Sequence, residues 1–215
     1  MARTTTWIDD YWLLLMEVYL RRPVGVKPLY SRDMVDLSLE LHISPQQLRA
    51  RMEQVAKLKT PRIERLMHTY ANQPKKLRRA VRLWREMKGY GNEAAFYEGV
   101  EVNETFERDF RPLSEDTRLT PVALVLVLDL YFRLTPITMV AQTPEVAQLA
   151  RLLKVSATDV EDVLNIYQHC DPYLNRRDVV FSPLVLPCQQ VWQRYANGDP
   201  RQLEELAEEL SQYYK

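Results

Sequence analysis

Apolar residues recur along most of this chain at intervals of three and four, the spacing that lines one face of an α-helix. Leu37 and Leu41, then Leu48, Met52 and Val55, follow it early in the chain; Leu149 and Leu153, then Val160, Leu164 and Tyr167, follow it later. Prolines punctuate these runs. Ser44-Pro45, Thr60-Pro61, Thr120-Pro121, Thr143-Pro144 and Asp199-Pro200 each set a capping oxygen ahead of a proline. The oxygen accepts a bond from an orphan amide of the first turn, and proline suits the first helical position, where its missing N–H costs nothing. The pattern predicts helices over 8–22, 32–42, 45–58, 61–71, 74–89, 121–134, 144–154, 157–169, 184–196 and 200–213. No run sustains period-two alternation; Val100-Glu101-Val102 is the nearest, and it is too short. The expected fold class is all-α.

The order of elements occurs twice. Residues 18–44 align without a gap on 130–156 at a constant offset of 112, which sets Tyr19 on Tyr131, Arg21 on Arg133, Leu37 on Leu149, Leu41 on Leu153, Ile43 on Val155 and Ser44 on Ser156. The register continues through Leu48 on Val160 and Met52 on Leu164. Farther on, Leu66 to Asn72 matches Val191 to Asn197 at an offset of 125, and Pro74 or Pro200 then opens a last amphipathic helix. Two similar helical halves are therefore expected, over 1–90 and 119–215, joined by an acidic connector over 91–118. The connector carries Phe96, Tyr97, Phe106 and Phe110, and such aromatics are expected to pack against the halves.

The matched core of each half resembles a helix-turn-helix. That motif joins two helices at a steep angle through a short turn, so it needs apolar anchors, a small residue at the crossing and a cap on the second helix. The second half offers Leu149, small Ala150, Leu153, Lys154 in the turn, Val155, capping Ser156, Val160 and Val163. The first half offers Leu37, small Ser38, Leu41, His42, Ile43, Ser44 and Leu48, but Arg51 stands where an apolar anchor is usual. Both lack the turn glycine of many family members. The resemblance covers about twenty residues per half and implies a tri-helical unit, which serves DNA binding and protein binding alike. The chain as a whole also looks like an uncharacterised family of bacterial helical proteins, which implies no activity.

Composition narrows the options. The 215 residues are 46% hydrophobic and 27% charged, as in ordinary globular domains, and hold only 5 glycines, too few for glycine-rich phosphate cradles. Asp9 and Asp10 stand where a secretory signal would begin its apolar region. The runs Tyr11–Leu20 and Pro121–Leu134 are interrupted by Glu17 and by Asp129 and Arg133, so neither supplies the ~20 apolar residues that span a bilayer. A cytoplasmic protein without a membrane partner is expected. Cys170 and Cys188 form no CxxC pair and are expected to be packed, reduced thiols.

Lys plus Arg equals Asp plus Glu, 29 each, yet the charges are segregated. Residues 49–88 carry a net +10, residues 89–215 a net −9 and residues 1–48 a net −1. Lys75, Lys76, Arg78, Arg79, Arg82 and Arg85 fall on one predicted helix, whose other side is Leu77, Ala80, Val81 and Trp84. A cationic stripe of this kind is the footprint of phosphate contacts, of docking on acidic protein, or of a plain solvated face. On the second helix of the first motif the outward set is Pro45, Gln46, Arg49, Ala50 and Glu53. Gln suits adenine and Arg suits guanine in the major groove. The equivalent set in the second half is Ala157, Thr158, Glu161, Asp162 and Asn165, whose carboxylates would be repelled by phosphates.

Little else carries chemistry. His42 falls in the motif's turn and is expected to close a helix end. His169-Cys170-Asp171 with Cys188 lacks zinc spacing. Glu204, Glu205, Glu208 and Glu209 form a carboxylate face on the last helix without the Glu-x-x-His partners of a di-metal site. No catalytic motif, cofactor site or metal site is expected, so the chain reads as non-enzymatic. The leading expectation is nucleic-acid binding by the first half through Gln46, Arg49, Lys75, Arg78, Arg79, Arg82 and Arg85, with the acidic second half binding a protein partner or itself. The alternative is a scaffold whose basic and acidic halves pair within a homo-oligomer.

Overall fold

The computed structural model describes residues 7–87, 105–176, 178 and 180–215. Within these residues the chain is all-α. The helices are α1 (Tyr11–Leu20), α2 (Arg32–Leu41), α3 (Pro45–Ala56), α4 (Pro61–Tyr70), α5 (Pro74–Arg85), α6 (Thr105–Phe110), α7 (Pro121–Arg133), α8 (Pro144–Leu153), α9 (Ala157–Cys170), α10 (Val185–Tyr195) and α11 (Pro200–Ser211), with one 3-10 turn at Pro136–Thr138. Proline opens α3, α4, α5, α7, α8 and α11. The caps work as the sequence implies at Thr60, which accepts from the Ile63 amide at 3.3 Å, and at Thr120, which accepts from Ala123 at 3.2 Å. Thr143 departs from the expectation. Its hydroxyl donates to the Thr138 carbonyl at 2.6 Å instead of capping α8. The helices also stop a residue or more short of several expected bounds; α1 starts only at Tyr11, because Asp9 and Asp10 form a turn ahead of it, and ends at Leu20, where Arg21 becomes extended.

The chain divides into two compact units, Met1–Glu107 and Arg108–Lys215, and the division falls inside the stretch 91–118 expected as a connector. Of the connector aromatics, Phe96 and Tyr97 lie outside the described residues, Phe106 is half-buried and Phe110 is buried. Helix α6 was not foreseen, since six residues are too few to display a period.

In the first unit α1 is the hub, with α2, α3, α4 and α5 all packed against it. Leu14, Leu15 and Met16 are fully buried, together with Met34, Leu48, Met52, Val55 and Ile63 from the surrounding helices. Arg51 replaces the expected apolar anchor without breaking this core. Its guanidinium lies 5.1 Å from the Trp7 ring centroid and 5.9 Å from that of Trp12, so the aliphatic stem packs and the charge rests on indole faces. His42 closes α2 in the left-handed conformation, φ 53°, and its Nδ1 lies 2.8 Å from Oε1 of buried Glu107.

In the second unit α7 is the hub, and it is buried on every side from Val122 to Tyr131, with α8, α9, α10 and α11 packed around it. A helix with apolar residues on every side must be enclosed in this way; buried Asp129, the one charge in this stretch, accepts from Arg133 Nη2 at 2.6 Å. The Tyr167 hydroxyl, also fully buried, donates to the Leu124 carbonyl at 2.9 Å. Arg118 spans Asp116 and Asp159 at 2.7 and 3.0 Å.

The two turns between paired helices share their local geometry. After α2 the Ile43 amide donates back to Ser38 O at 3.1 Å; after α8 Lys154 adopts φ 61° and the Val155 amide donates back to Ala150 O at 3.1 Å. Ser44 then caps α3 and Ser156 caps α9. Small residues at 38 and 150 and left-handed closures at 42 and 154 thus recur at the same spacing of 112.

Candidate polyanion-binding face

Helix α5 has three longitudinal faces, and each follows from its sequence. Leu77 and Val81 point inward and are 2% and 1% exposed, while Trp84 packs edge-on against Tyr11 at 6.0 Å between centroids. Lys75, Lys76, Arg78, Arg79, Arg82 and Arg85 are all exposed. Leu83 and Met87, one turn apart, form an exposed apolar flank beside Lys76 and Arg79. This flank lies outside both the buried side and the cationic stripe expected for the helix, although its spacing of four residues is visible in the sequence.

The cations are not equivalent. Arg85 is committed to structure: its Nε and Nη2 donate to the two oxygens of Glu40 at 2.7 and 2.8 Å, and its Nη1 lies 3.6 Å from Glu17. The hydrogen bonds it donates to Glu40 hold its guanidinium even more firmly protonated than usual. Arg82 has a loose partner in Glu86 at 3.7 Å. Lys76 lies 5.8 Å from the Tyr70 ring centroid, and Arg78 Nε donates to the Pro74 carbonyl at 3.4 Å. Among the described residues no carboxylate pairs with Lys75, Lys76, Arg78 or Arg79.

On α3, Gln46 and Arg49 are exposed too. Gln46 Nε2 donates to the Tyr30 hydroxyl at 3.0 Å, and Arg49 lies 3.9 Å from Glu53. Helix α3 packs on α1 and α2, whereas α5 packs on α1 and α4. Both cationic helices are therefore mounted on α1, and the base-reading candidates sit on a different helix pair from the stripe.

In the second unit the matching helix α9 carries acids already at work. Glu161 accepts from the Ala141 amide at 2.9 Å, and Asp159 caps the Ser156 amide at 2.8 Å. Burial, with the charges of Asp159 and Glu161 beside it, raises the Asp162 carboxyl. On α11, Glu204, Glu205, Glu208 and Glu209 are exposed, and no cation pairs with them among the described residues. Cys188 is buried and Cys170 half-buried, both as free thiols; burial pushes the Cys188 thiol up to about 12 and raises Cys170 as well. His169 contacts Asn165 O at 2.8 Å through Nδ1 and Asp178 at 2.9 Å through Nε2. Among the described residues no three His, Cys, Asp or Glu side chains gather as metal ligands, and no helix is long and apolar enough to cross a membrane.

Comparison with known proteins yields no match: no family model, curated protein or solved structure is significantly similar to this chain.

Proposed function

We propose that this chain is a non-enzymatic cytoplasmic protein of two helix-turn-helix-like units, the first of which binds nucleic acid through the phosphate backbone. One observation carries the reading. Lys75, Lys76, Arg78 and Arg79 stand exposed along α5 with no ion-pair partner among the described residues, while Arg85 on the same helix is neutralised. Cations left unpaired on a rigid helix are positioned for phosphates, whose contacts fix register and supply sequence-independent affinity. Gln46 and Arg49 at the start of α3 are the residues suited to base edges, and the exposed Leu83 and Met87 offer apolar contact beside the stripe.

The test is fluorescence anisotropy with mixed-sequence duplex DNA across a salt series. About four phosphate contacts imply a roughly 100-fold loss of affinity between about 50 and 200 mM salt. The double variant Arg78→Glu, Arg82→Glu should abolish binding, and Arg85→Ala should leave it nearly intact. Absence of binding at low salt, or binding indifferent to salt and to the double variant, ends this reading.

A further inference from the structure

Helices α5 and α11 are the same length, both open on proline, and start 126 residues apart at Pro74 and Pro200. Aligned on those prolines, their inward residues agree: Leu77 falls on Leu203, Val81 on Ala207 and Trp84 on Leu210, all buried or half-buried. Their outward residues are inverted in charge. Arg78, Arg79 and Arg82 fall on Glu204, Glu205 and Glu208, and all six are exposed. Among the described residues neither Arg78 nor Arg79 has a carboxylate partner, and none of the three glutamates has a cationic one. On each helix the first and last of the three lie four residues apart, a rise of about 6 Å, so the two sets have matched spacing.

We propose that the acidic face of α11 docks on the basic face of α5 of a second copy, so that the chain covers its own anion-binding face by self-association. The partner is identified by complementarity. Three guanidiniums meet three carboxylates at the same spacing on helices of the same length, and like faces repel, which selects α5 with α11 over α5 with α5. Reciprocal contacts close a two-fold dimer and repeated ones extend a chain. Exposed pairs are individually weak and salt-screened, so the assembly is weak and reversible, and nucleic acid competes for the same arginines. The inference rests on α5 being an anion-binding face, and not on nucleic acid being the anion.

The experiment is sedimentation velocity on the full chain at high concentration, in ~0.01 M and ~1 M salt, where the screening length is about 30 Å and 3 Å. The expected result is a mass above that of the monomer at low salt, returning to monomer at high salt. Arg78→Glu, Arg82→Glu and, separately, Glu204→Arg, Glu208→Arg should each be monomeric at low salt with unchanged circular dichroism. An equimolar mixture of the two variants should recover the association, because every junction between unlike copies is complementary again. A parent chain that stays monomeric at low salt, or a mixture that fails to recover, overturns the inference. Added duplex DNA separates the two readings. Self-association that DNA does not disturb leaves this inference standing and counts against nucleic-acid binding, whereas a monomer that binds DNA does the reverse.

Discussion

Arg85 on α5 grips both carboxylate oxygens of Glu40 on α2 through one guanidinium edge, Nε and Nη2, at 2.7 and 2.8 Å, across 45 residues of sequence. This two-pronged geometry is the strong form of an ion pair, and Glu17 of α1 stands 3.6 Å away on the other side. One cation of the stripe is thereby spent on joining three helices. Replacing Arg85 by Ala should cost about 0.5–1 kcal/mol in urea unfolding, the range for exposed but well-aligned pairs. Lys75→Ala should leave stability within about 0.5 kcal/mol of the parent, as a surface change away from any partner.

Ser38 is fully buried at the crossing of α2, and its hydroxyl finds no hydrogen-bond partner among the described residues. A buried polar group left unpaired carries a desolvation cost of about 1–3 kcal/mol. Ser38→Ala should therefore be neutral or stabilising by up to about 1 kcal/mol, whereas Ser38→Val should destabilise by about 1–3 kcal/mol through overpacking. Thermal melts of the two variants distinguish these signs.

Lys154 occupies a left-handed position, φ 61°, at the end of α8, with its side chain exposed. Glycine has no Cβ to strain there. Lys154→Gly should stabilise the protein by about 0.5–1 kcal/mol. The same exchange at His42, φ 53°, should gain less, because it also removes the 2.8 Å contact with Glu107.

The turn residues expose what sequence could and could not convey. Helix starts were legible because each is a local event: an oxygen, a proline and an apolar period within a few residues, as at Thr60-Pro61 and Thr120-Pro121. The inward sides of α5 and, through Leu48, Met52 and Val55, of α3 followed from the same period, but Pro45, expected on the outward face of α3, is buried. Arg51 was legible only as an exception, since the indoles that receive it lie 39 or more residues earlier in the chain. The division of the stripe into spent and available cations was not legible at all. It depends on Glu40 and Glu17 reaching Arg85 through folding, and composition counts all six cations alike.

Acid should weaken the second unit in a defined window. Hydrogen bonding to Arg118 holds Asp116 below the usual carboxylate range. Burial pushes Asp159 up, but bonds from Ser156 and Arg118 outweigh it and leave it lowered as well. A carboxyl with a depressed folded pKa stabilises above its unfolded value, near 3.8 here, and that stabilisation fades as pH falls through the lower folded one. Asp159→Asn should flatten the loss of stability as pH falls below about 4, as followed by circular dichroism.

The thiols supply a clean check on packing. With Cys188 raised to about 12 and Cys170 raised too, both by burial, almost no thiolate exists at pH 8. Ellman's reagent should label the native protein far more slowly than a free thiol, and should report two thiols at once in denaturant. Rapid native labelling of Cys188 would mean that the second core is open.

Helix α7 has no outer side, from Val122 to Tyr131, and the four helices that enclose it all come later in the chain. During synthesis this apolar rod leaves the ribosome with nothing yet made to shelter it. Any product that stops short of α11 presents greasy surface to water, the kind of species that aggregates or is held by chaperones. The second unit is thus assembled whole or discarded, and a terminal deletion there acts on the yield of protein before it can act on any activity.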